Sequence, residues 1–266
     1  MLHELTLFGE TDRVRLAINR LRLNEPQDGY YVAFSGGKDS CVILDLCKKS
    51  GVKYDAHFNV TTVDPPELTK FVHDNYPEVT MEKPPISMRR LIEKKMILPT
   101  RTARYCCVIY KERGGAGRTV VTGIRHAESS RRAKRKLIEP CRQSNGKRFI
   151  HPIIDWSTAD VWEYIHTYKV PYCTLYDEGF SRIGCVCCPF GGTKKMLVEK
   201  ARWPAIYKYM WRGGAELLIK RRKERGLKCT MDVDAMMRWW IYGQRYEKCN
   251  DDMINIFGVM GDESIT

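Results

Sequence analysis

The 266-residue sequence contains no run approaching the ~18 consecutive apolar residues that a membrane-spanning helix needs, which excludes a helical membrane protein. Its start, Met1-Leu2-His3-Glu4, lacks the basic-then-apolar order of a secretory leader, so the expected location is cytoplasmic, with no membrane partner. No segment repeats and none is of low complexity, which removes solenoid and disordered classes. Acidic residues are in short supply: 32 Asp and Glu face 45 Lys and Arg, for a net charge of +13. That balance favours polyanionic partners, nucleotide phosphates or nucleic acid, without choosing between them. Cysteine is not scarce, and eleven of them in a chain with no export signal argue for metal or thiol chemistry over a disulfide scaffold.

The Gly-x-x-x-x-Gly-Lys-Ser/Thr pattern of the mononucleotide P-loop is also missing. In its place the apolar run Tyr30-Tyr31-Val32-Ala33-Phe34 leads into Ser35-Gly36-Gly37-Lys38-Asp39-Ser40, followed at once by Cys41-Val42-Ile43-Leu44-Asp45-Leu46-Cys47. Strand, glycine turn and helix start together make a phosphate cradle. The glycines let backbone N–H groups approach an anion without a Cβ in the way, and the helix start aims its unsatisfied N–H groups and positive dipole end at the same point. Lys38 adds a full charge. Ser35, Gly36, Gly37, Lys38, Asp39 and Ser40 are the expected nucleotide contacts, and Asp39 either helps to hold Mg2+ or caps helix N–H groups. The string resembles the PP-loop of the adenine nucleotide alpha-hydrolase-like superfamily, which implies an adenine nucleotide whose pyrophosphate or phosphosulfate lies on this turn.

Composition is that of a globular protein, 43% hydrophobic and 29% charged, and the length allows one large α/β domain or a domain plus an extension. Apolar spacing behind a capping Thr11 predicts a first helix. Residues 54–60 read as a second strand, arriving after a helix long enough for a right-handed crossover. Residues 67–76 read as a helix and 119–125 as a third strand. The expected fold is a Rossmann-like (HUP-type) parallel α/β sheet with helices on both faces. Asn59 and Thr61 fall at the carboxyl end of the second strand, the side on which such sheets bind ligands, and join the expected nucleotide contacts. Ser157-Thr158 opens a capped amphipathic helix. Beyond Pro189 the texture changes: residues 194–228 carry twelve Lys/Arg against three Glu, interleaved with Trp203, Tyr207, Tyr209 and Trp211. They read as two helices split near Gly213-Gly214. A nucleotide-binding domain over 1–192 and a basic helical extension over 193–266 are expected. The extension's charge is a solvated face or a nucleic-acid groove, since aromatics among basic residues also serve single-strand binding.

Cys106-Cys107 and the Cys-x-x-Cys of Cys185 and Cys188, with 77 residues between the pairs, form a four-thiolate set. Zinc usually takes two Cys-x2-4-Cys knuckles, because each pair must reach one ion at tetrahedral angles, which adjacent cysteines do poorly. A cubane offers separate iron corners, so a [4Fe-4S] cluster is expected, with zinc as the alternative. Two blander arrangements stay open: Cys106 and Cys107 as small buried hydrophobes, or a redox dithiol at Cys185 and Cys188. Cys187 is a spare inside the motif. Cys41, Cys47, Cys141, Cys173, Cys229 and Cys249 read as core or surface thiols.

Several segments in order resemble the phosphoadenosine phosphosulfate (PAPS) reductase family, over about residues 28–192. Arg104-Tyr105-Cys106-Cys107-Val108-Ile109-Tyr110-Lys111 is similar to the paired-cysteine segment of its cluster-bearing members. Thr122-Gly123-Ile124-Arg125, with Glu128-Ser129-Ser130-Arg131-Arg132-Ala133, is similar to their phosphosulfate-contacting loop. His151-Pro152-Ile153-Ile154-Asp155-Trp156, Val170-Pro171-Tyr172 and Gly179-Phe180-Ser181-Arg182-Ile183-Gly184-Cys185 follow the family's downstream pattern. The resemblance implies substrate contacts from Gly123, Arg125, Ser129 and Arg132, whose guanidinium forks suit phosphate or sulfate. It implies a position for Lys111 between cluster and substrate. Lys38, Asp39, Lys111 and Arg125 are the expected catalytic set.

The departures shape the function. Assimilatory reductases of this family carry a Glu-Cys-Gly-x-x-His type nucleophile near the C-terminus, and here Glu247-Lys248-Cys249-Asn250 lacks the glycine and the histidine. The intact Ser-Gly-Gly-Lys-Asp-Ser loop resembles members that split ATP between the α and β phosphates. Tyr110 stands where an Arg is expected, and Thr61-Thr62-Val63-Asp64 replaces Asp-Thr-Gly. Three readings follow: an ATP-dependent sulfur-transfer enzyme of the tRNA-thiolation or DNA-phosphorothioation kind, with a thiol or sulfur-donor protein partner; a PAPS or APS reductase with Cys229 or Cys249 as a displaced nucleophile; and a non-catalytic nucleotide and cluster module. Nucleotide identity, acceptor and oligomeric state are not specified by these residues.

Overall fold

The computed structural model describes residues 2–6, 9–141 and 146–243. In chain order its first half comprises β1 (His3–Thr6), β2 (Gly9–Asp12), α1 (Arg13–Leu23), β3 (Tyr30–Phe34), α2 (Lys38–Ser50), β4 (Tyr54–Asn59), α3 (Pro66–Asn75), β5 (Val79–Glu82), α4 (Met88–Lys95) and α5 (Tyr105–Tyr110). Then come β6 (Thr119–Val121), β7 (Ile138–Pro140), β8 (Arg148–Ile150), α6 (Thr158–Thr167), α7 (Gly192–Arg202), α8 (Pro204–Ile206), a π-helical stretch Tyr207–Arg212, α9 (Gly213–Glu224) and α10 (Val233–Tyr242). Short 3-10 turns join several of them. These elements sort into two compact units. One comprises Met1–Val60, Pro66–Lys83 and Glu112–Gly184; the other comprises Thr61–Pro65, Pro84–Lys111 and Cys185–Thr266.

The first unit is built on a six-stranded sheet of order β5-β4-β3-β6-β8-β7. All neighbours are parallel except the edge pair β7 and β8. This is the expected Rossmann-like α/β fold. The central strand β3 is an almost uninterrupted buried run, the pattern of a strand covered on both faces. Pro140 sits on the outer strand, where a missing N–H costs no ladder bond. Helix α2 buries Val42, Ile43, Leu44 and Leu46, each contributing about 1.5–3 kcal/mol of apolar burial. It ends at Gly51, whose φ of 72° is the left-handed cap. Because β4 lies on one side of β3 and β6 on the other, the order reverses at the carboxyl end of β3, where ligands enter such sheets.

Two local expectations change. The first helix is capped by Asp12, not Thr11: the Asp12 carboxylate accepts from the Val14 and Arg15 amides at 2.9 Å, and a carboxylate is at least as good a cap as a hydroxyl. Strand β6 stops at Val121 rather than running to Arg125, and the chain turns away to form a 3-10 turn at His126–Glu128. Strands β5, β7 and β8 are too short to show a clear alternation.

The second unit is helical. Its basic stretch does not split at Gly213-Gly214; the break lies at Trp203, which precedes Pro204 and leaves the helical region at φ −126°, ψ 64°. From Pro204 the helix continues through Gly213-Gly214 into α9. The glycines serve packing: a Cβ on Gly213 would lie 3.0 Å from Arg89 Nε and one on Gly214 2.7 Å from Ile92 Cδ1, so α4 approaches α9 closely there. Of the four interleaved aromatics, Trp203, Tyr207 and Trp211 are buried. Trp211 packs at a 35° tilt, centroids 4.9 Å apart, against Trp240, whose indole N–H donates to the Pro99 carbonyl at 2.7 Å. Tyr209 alone is open, 60% exposed, with the Arg89 guanidinium 4.7 Å from its ring.

Candidate functional site

Residues 35–40 lie in the first unit. Gly36 takes φ +68°, a conformation that a side chain resists, and a Cβ there would strike Leu68 and Val72 of α3 at 2.7 and 2.9 Å. Ser40 Oγ locks the turn, donating to the Gly37 carbonyl at 2.8 Å while lying 3.1–3.2 Å from Ser35 Oγ and Ser35 N. Lys38 is 7% exposed, its ammonium 3.2 Å from Asp39 Oδ2. The other Asp39 oxygen accepts from Arg125 Nε at 2.6 Å. Arg125 is itself 2% exposed, and its Nη1 also donates to the Trp156 carbonyl at 3.2 Å. Asp39 thus bridges two cations.

Gly123 explains how the loops meet. A Cβ there would lie 2.9–3.0 Å from Asp39 Cβ, carbonyl carbon and oxygen, so only a glycine lets this backbone touch the first turn of α2. Ser129 is exposed and its hydroxyl accepts from the Arg132 amide at 3.3 Å. Arg132 pairs with Glu128. Asn59 closes β4 opposite Glu82 of β5. The structure therefore brings Ser35, Gly36, Gly37, Lys38, Asp39, Ser40, Gly123 and Arg125 into mutual contact, with Asn59, Ser129 and Arg132 in the same unit. Sequence reasoning missed Tyr176, whose hydroxyl accepts from the Lys38 amide at 2.9 Å and whose ring lies under the Lys38 ammonium, 5.5 Å from its centroid.

The four candidate cysteines belong to the second unit. Helix α5 carries Cys106 and Cys107 and is pinned at both ends by buried tyrosines: Tyr105 donates to the Ile97 carbonyl at 2.6 Å and Tyr110 to that of Ile86 at 3.0 Å. The residue that departs from the expected Arg is thus an anchor of the thiol-bearing helix. The Cys185–Cys188 knuckle is braced from three directions. Val186 N–H donates to Val63 O at 2.7 Å, Trp211 Nε1 to Val186 O at 3.0 Å, and Cys187 N–H to Glu199 Oε2 at 2.7 Å. Cys187 takes φ +55° and is buried. Burial pushes its thiol up to about 12, so this spare cysteine is a structural turn residue.

The thiols act on one another. A hydrogen bond between the pair holds Cys107 well below the ordinary thiol range and Cys106 far above it, with the Arg104 and Lys111 charges assisting at Cys107, and with burial and the Cys185 and Cys188 sulfurs adding to the rise at Cys106. Burial, then Cys185, raises Cys188. Cys185, followed by Asp64, holds the Lys111 ammonium above its usual value, although the residue is exposed and solvent screens this pairing. Among the described residues no three His, Cys, Asp or Glu side chains converge on one point tightly enough for a single metal ion. Thr61, one of the expected nucleotide contacts, belongs to this unit. Its amide and hydroxyl donate to Asp64 at 2.6 and 2.8 Å, and its hydroxyl oxygen accepts from Cys185 Sγ at 3.5 Å. Cys229 is half-buried, donating to the Met231 carbonyl at 3.5 Å. Cys249 lies outside the described residues. No described helix is long and apolar enough to cross a membrane.

The sequence model of the phosphoadenosine phosphosulfate reductase domain matches residues 29–190. An uncharacterized Methanocaldococcus jannaschii protein is 34% identical over 190 residues, 66% of this chain and 39% of that one. A second from the same organism is 30% identical over 184 residues, 66% of this chain and 45% of its own length, so the chain spans less than half of either relative. The adenosine 5'-phosphosulfate reductase of Oceanobacillus iheyensis is 28% identical over 187 residues, covering 66% of this chain and 78% of that enzyme. A crystal structure of Candida auris PAPS reductase is similar at a TM-score of 0.49 and 23% identity, covering 64% of this chain and 87% of that one.

Proposed function

The chain belongs to the phosphoadenosine phosphosulfate reductase domain family, and on that premise we propose that it is an ATP-dependent sulfur-transfer enzyme that carries a [4Fe-4S] cluster and modifies a nucleic acid. The observation that supports this reading over nucleotide reduction is the state of three of the four thiols in the unit that holds residues 35–40, the fourth being the half-buried Cys141. Reduction needs an ionisable cysteine to attack sulfur. Cys41 and Cys47 are fully buried, their thiols pushed up to about 12 by desolvation, and Cys173 is buried and raised likewise. None of the three is a thiolate near neutral pH.

Splitting ATP at the α phosphate adenylates an acceptor oxygen and releases pyrophosphate. The amides of Gly36 and Gly37, the Lys38 ammonium and the Ser40 hydroxyl would stabilise the negative charge that develops on the departing oxygens, and one such preorganised donor contributes about 10²–10³ in rate. Arg125 would hold Asp39 in place, and Asp39 would share Mg2+ with the phosphates. Ser129 and Arg132 would meet the far end of the nucleotide. The donor set fits a cluster: four soft thiols in electrostatic reach of one another, with Lys111 and Arg104 to offset their charge. Cys106, Cys107, Cys185 and Cys188 would hold it. When bound, it supplies either polarisation of a sulfur group or an exchangeable sulfide. Exposed Lys220, Lys223, Arg225 and Lys228 would hold the nucleic-acid acceptor.

A second reading is favoured by the relatives named adenosine 5'-phosphosulfate reductase: sulfite formation with Cys229 or Cys249 as nucleophile. One assay separates the two. Anaerobically purified, iron-replete protein is expected to release pyrophosphate from ATP in the presence of single-stranded RNA or DNA, and Lys38→Ala is expected to reduce this at least ~10²-fold. Sulfite from PAPS or APS with a thiol donor, without pyrophosphate from ATP, would replace the first reading by the second. Loss of that sulfite in a Cys229→Ala, Cys249→Ala double variant would identify the nucleophile.

A further inference from the structure

A phenol hydroxyl has one proton to give and two lone pairs to accept with. Tyr176 accepts from the Lys38 amide at 2.9 Å, and among the described residues its proton meets no protein acceptor. The hydroxyl lies over the glycine pair, 3.4 Å from where a Cβ on Gly37 would stand. The Lys38 ammonium lies above the same ring, 5.5 Å from its centroid. A cation and an O–H donor therefore lie together at the start of α2, with the Asp39 carboxylate 3.2 Å from the ammonium, an arrangement that can hold an anion at the helix start.

The ring is held in this pose. Trp162 of α6 meets it edge-on at 5.3 Å and 87°, and Trp162 meets Tyr172 in the same way at 5.3 Å. Leu175 and Cys173, on either side of Thr174, are buried and anchor the 3-10 turn that carries Tyr176. A side chain packed this firmly loses little freedom when a ligand arrives. Burial raises the Tyr176 pKa well above that of free tyrosine, which keeps the donor proton in place at neutral pH.

We propose that Tyr176 is a phosphate ligand of the nucleotide loop: its oxygen takes the Lys38 amide proton and its own proton goes to a nucleotide phosphate oxygen. The Lys38 amide is then read through one hydroxyl, so the bound phosphate sits one hydrogen bond further from the start of α2 than a direct amide contact would put it. This inference rests on residues 35–40 binding phosphate, but on neither candidate reaction.

The test uses the full chain and inorganic pyrophosphate, with adenosine as the control that carries no phosphate. Tyr176→Phe keeps the ring and removes only the oxygen. Its pyrophosphate dissociation constant is expected to rise about 10- to 100-fold, as for loss of a hydrogen bond to a charged group, while adenosine affinity and the ligand-free melting temperature stay unchanged. Equal or tighter pyrophosphate binding by Tyr176→Phe would overturn the proposal and make the hydroxyl a plug over the amide. Failure of the wild-type protein to bind pyrophosphate, ATP or APS would instead overturn the phosphate-loop reading, and the inference with it.

Discussion

Arg125 shows how the fold supplies a partner that the sequence does not name. The sequence places its fork toward a substrate anion, whereas the folded chain uses the Nε–H on Asp39 and an Nη1–H on the Trp156 carbonyl. A buried guanidinium must satisfy its donors within the protein, and only the fold brings Asp39 to it. His151 is a second case, fully buried between Thr122 Oγ1 at 2.7 Å and Glu139 Oε1 at 3.3 Å. Burial lowers its pKa below the ordinary 6.5, Glu139 opposes, and Arg135 and Arg132 reinforce. The unfolded chain therefore takes up this proton first as pH falls, so stability rises with pH between the folded pKa and about 6.5 and is lost below that range. Thermal melts from pH 7 to 5 are expected to show a falling midpoint in the wild type and a shallower fall in His151→Asn. Parallel slopes would remove His151 as the cause.

At the scale of elements, local preference and tertiary approach compete. Gly213-Gly214 looks like a helix break because each glycine costs about 1 kcal/mol in a helix, yet the closeness of α4 keeps the helix running. The strand–turn–helix around residues 35–40 was legible because the apolar runs and the glycine pair agree on one local structure. Strands of three or four residues such as β5, β7 and β8 carry too few alternations to be read. Gly123 is the joint between β6 and α2, and Gly123→Ala is expected to cost about 1–3 kcal/mol, because the new methyl meets Asp39 backbone atoms that have no rotamer to escape into. The melting temperature should fall and pyrophosphate binding weaken together. A variant that melts and binds as the wild type does would show that α2 can shift freely.

Over the whole chain the net charge of +13 pointed to polyanions but not to which. Burial of Trp203, Tyr207 and Trp211 removes most of the aromatic case for a stacking groove and leaves the cations of α9 and the residues after it. Replacing Lys220, Lys223, Arg225 and Lys228 together is expected to lower the slope of log affinity against log salt for a single-stranded oligonucleotide by roughly 3, from ~0.7 per phosphate contact. An unchanged slope would place the acceptor elsewhere. The thiol set was legible as a composition, but its supports were not: Glu199 belongs to no motif, and nothing in the segment 104–111 marks Tyr105 and Tyr110 as the anchors of its helix. One feature of chain layout reaches beyond all of these. The polypeptide passes from one unit to the other after Val60, Pro65, Lys83, Lys111 and Gly184, so neither unit is a cassette. No single stretch of gene encodes the thiol-bearing unit, no one crossover could graft it onto another enzyme, and a deletion that spares Cys185 and Cys188 but ends at residue 192 would strip away the helices that brace them.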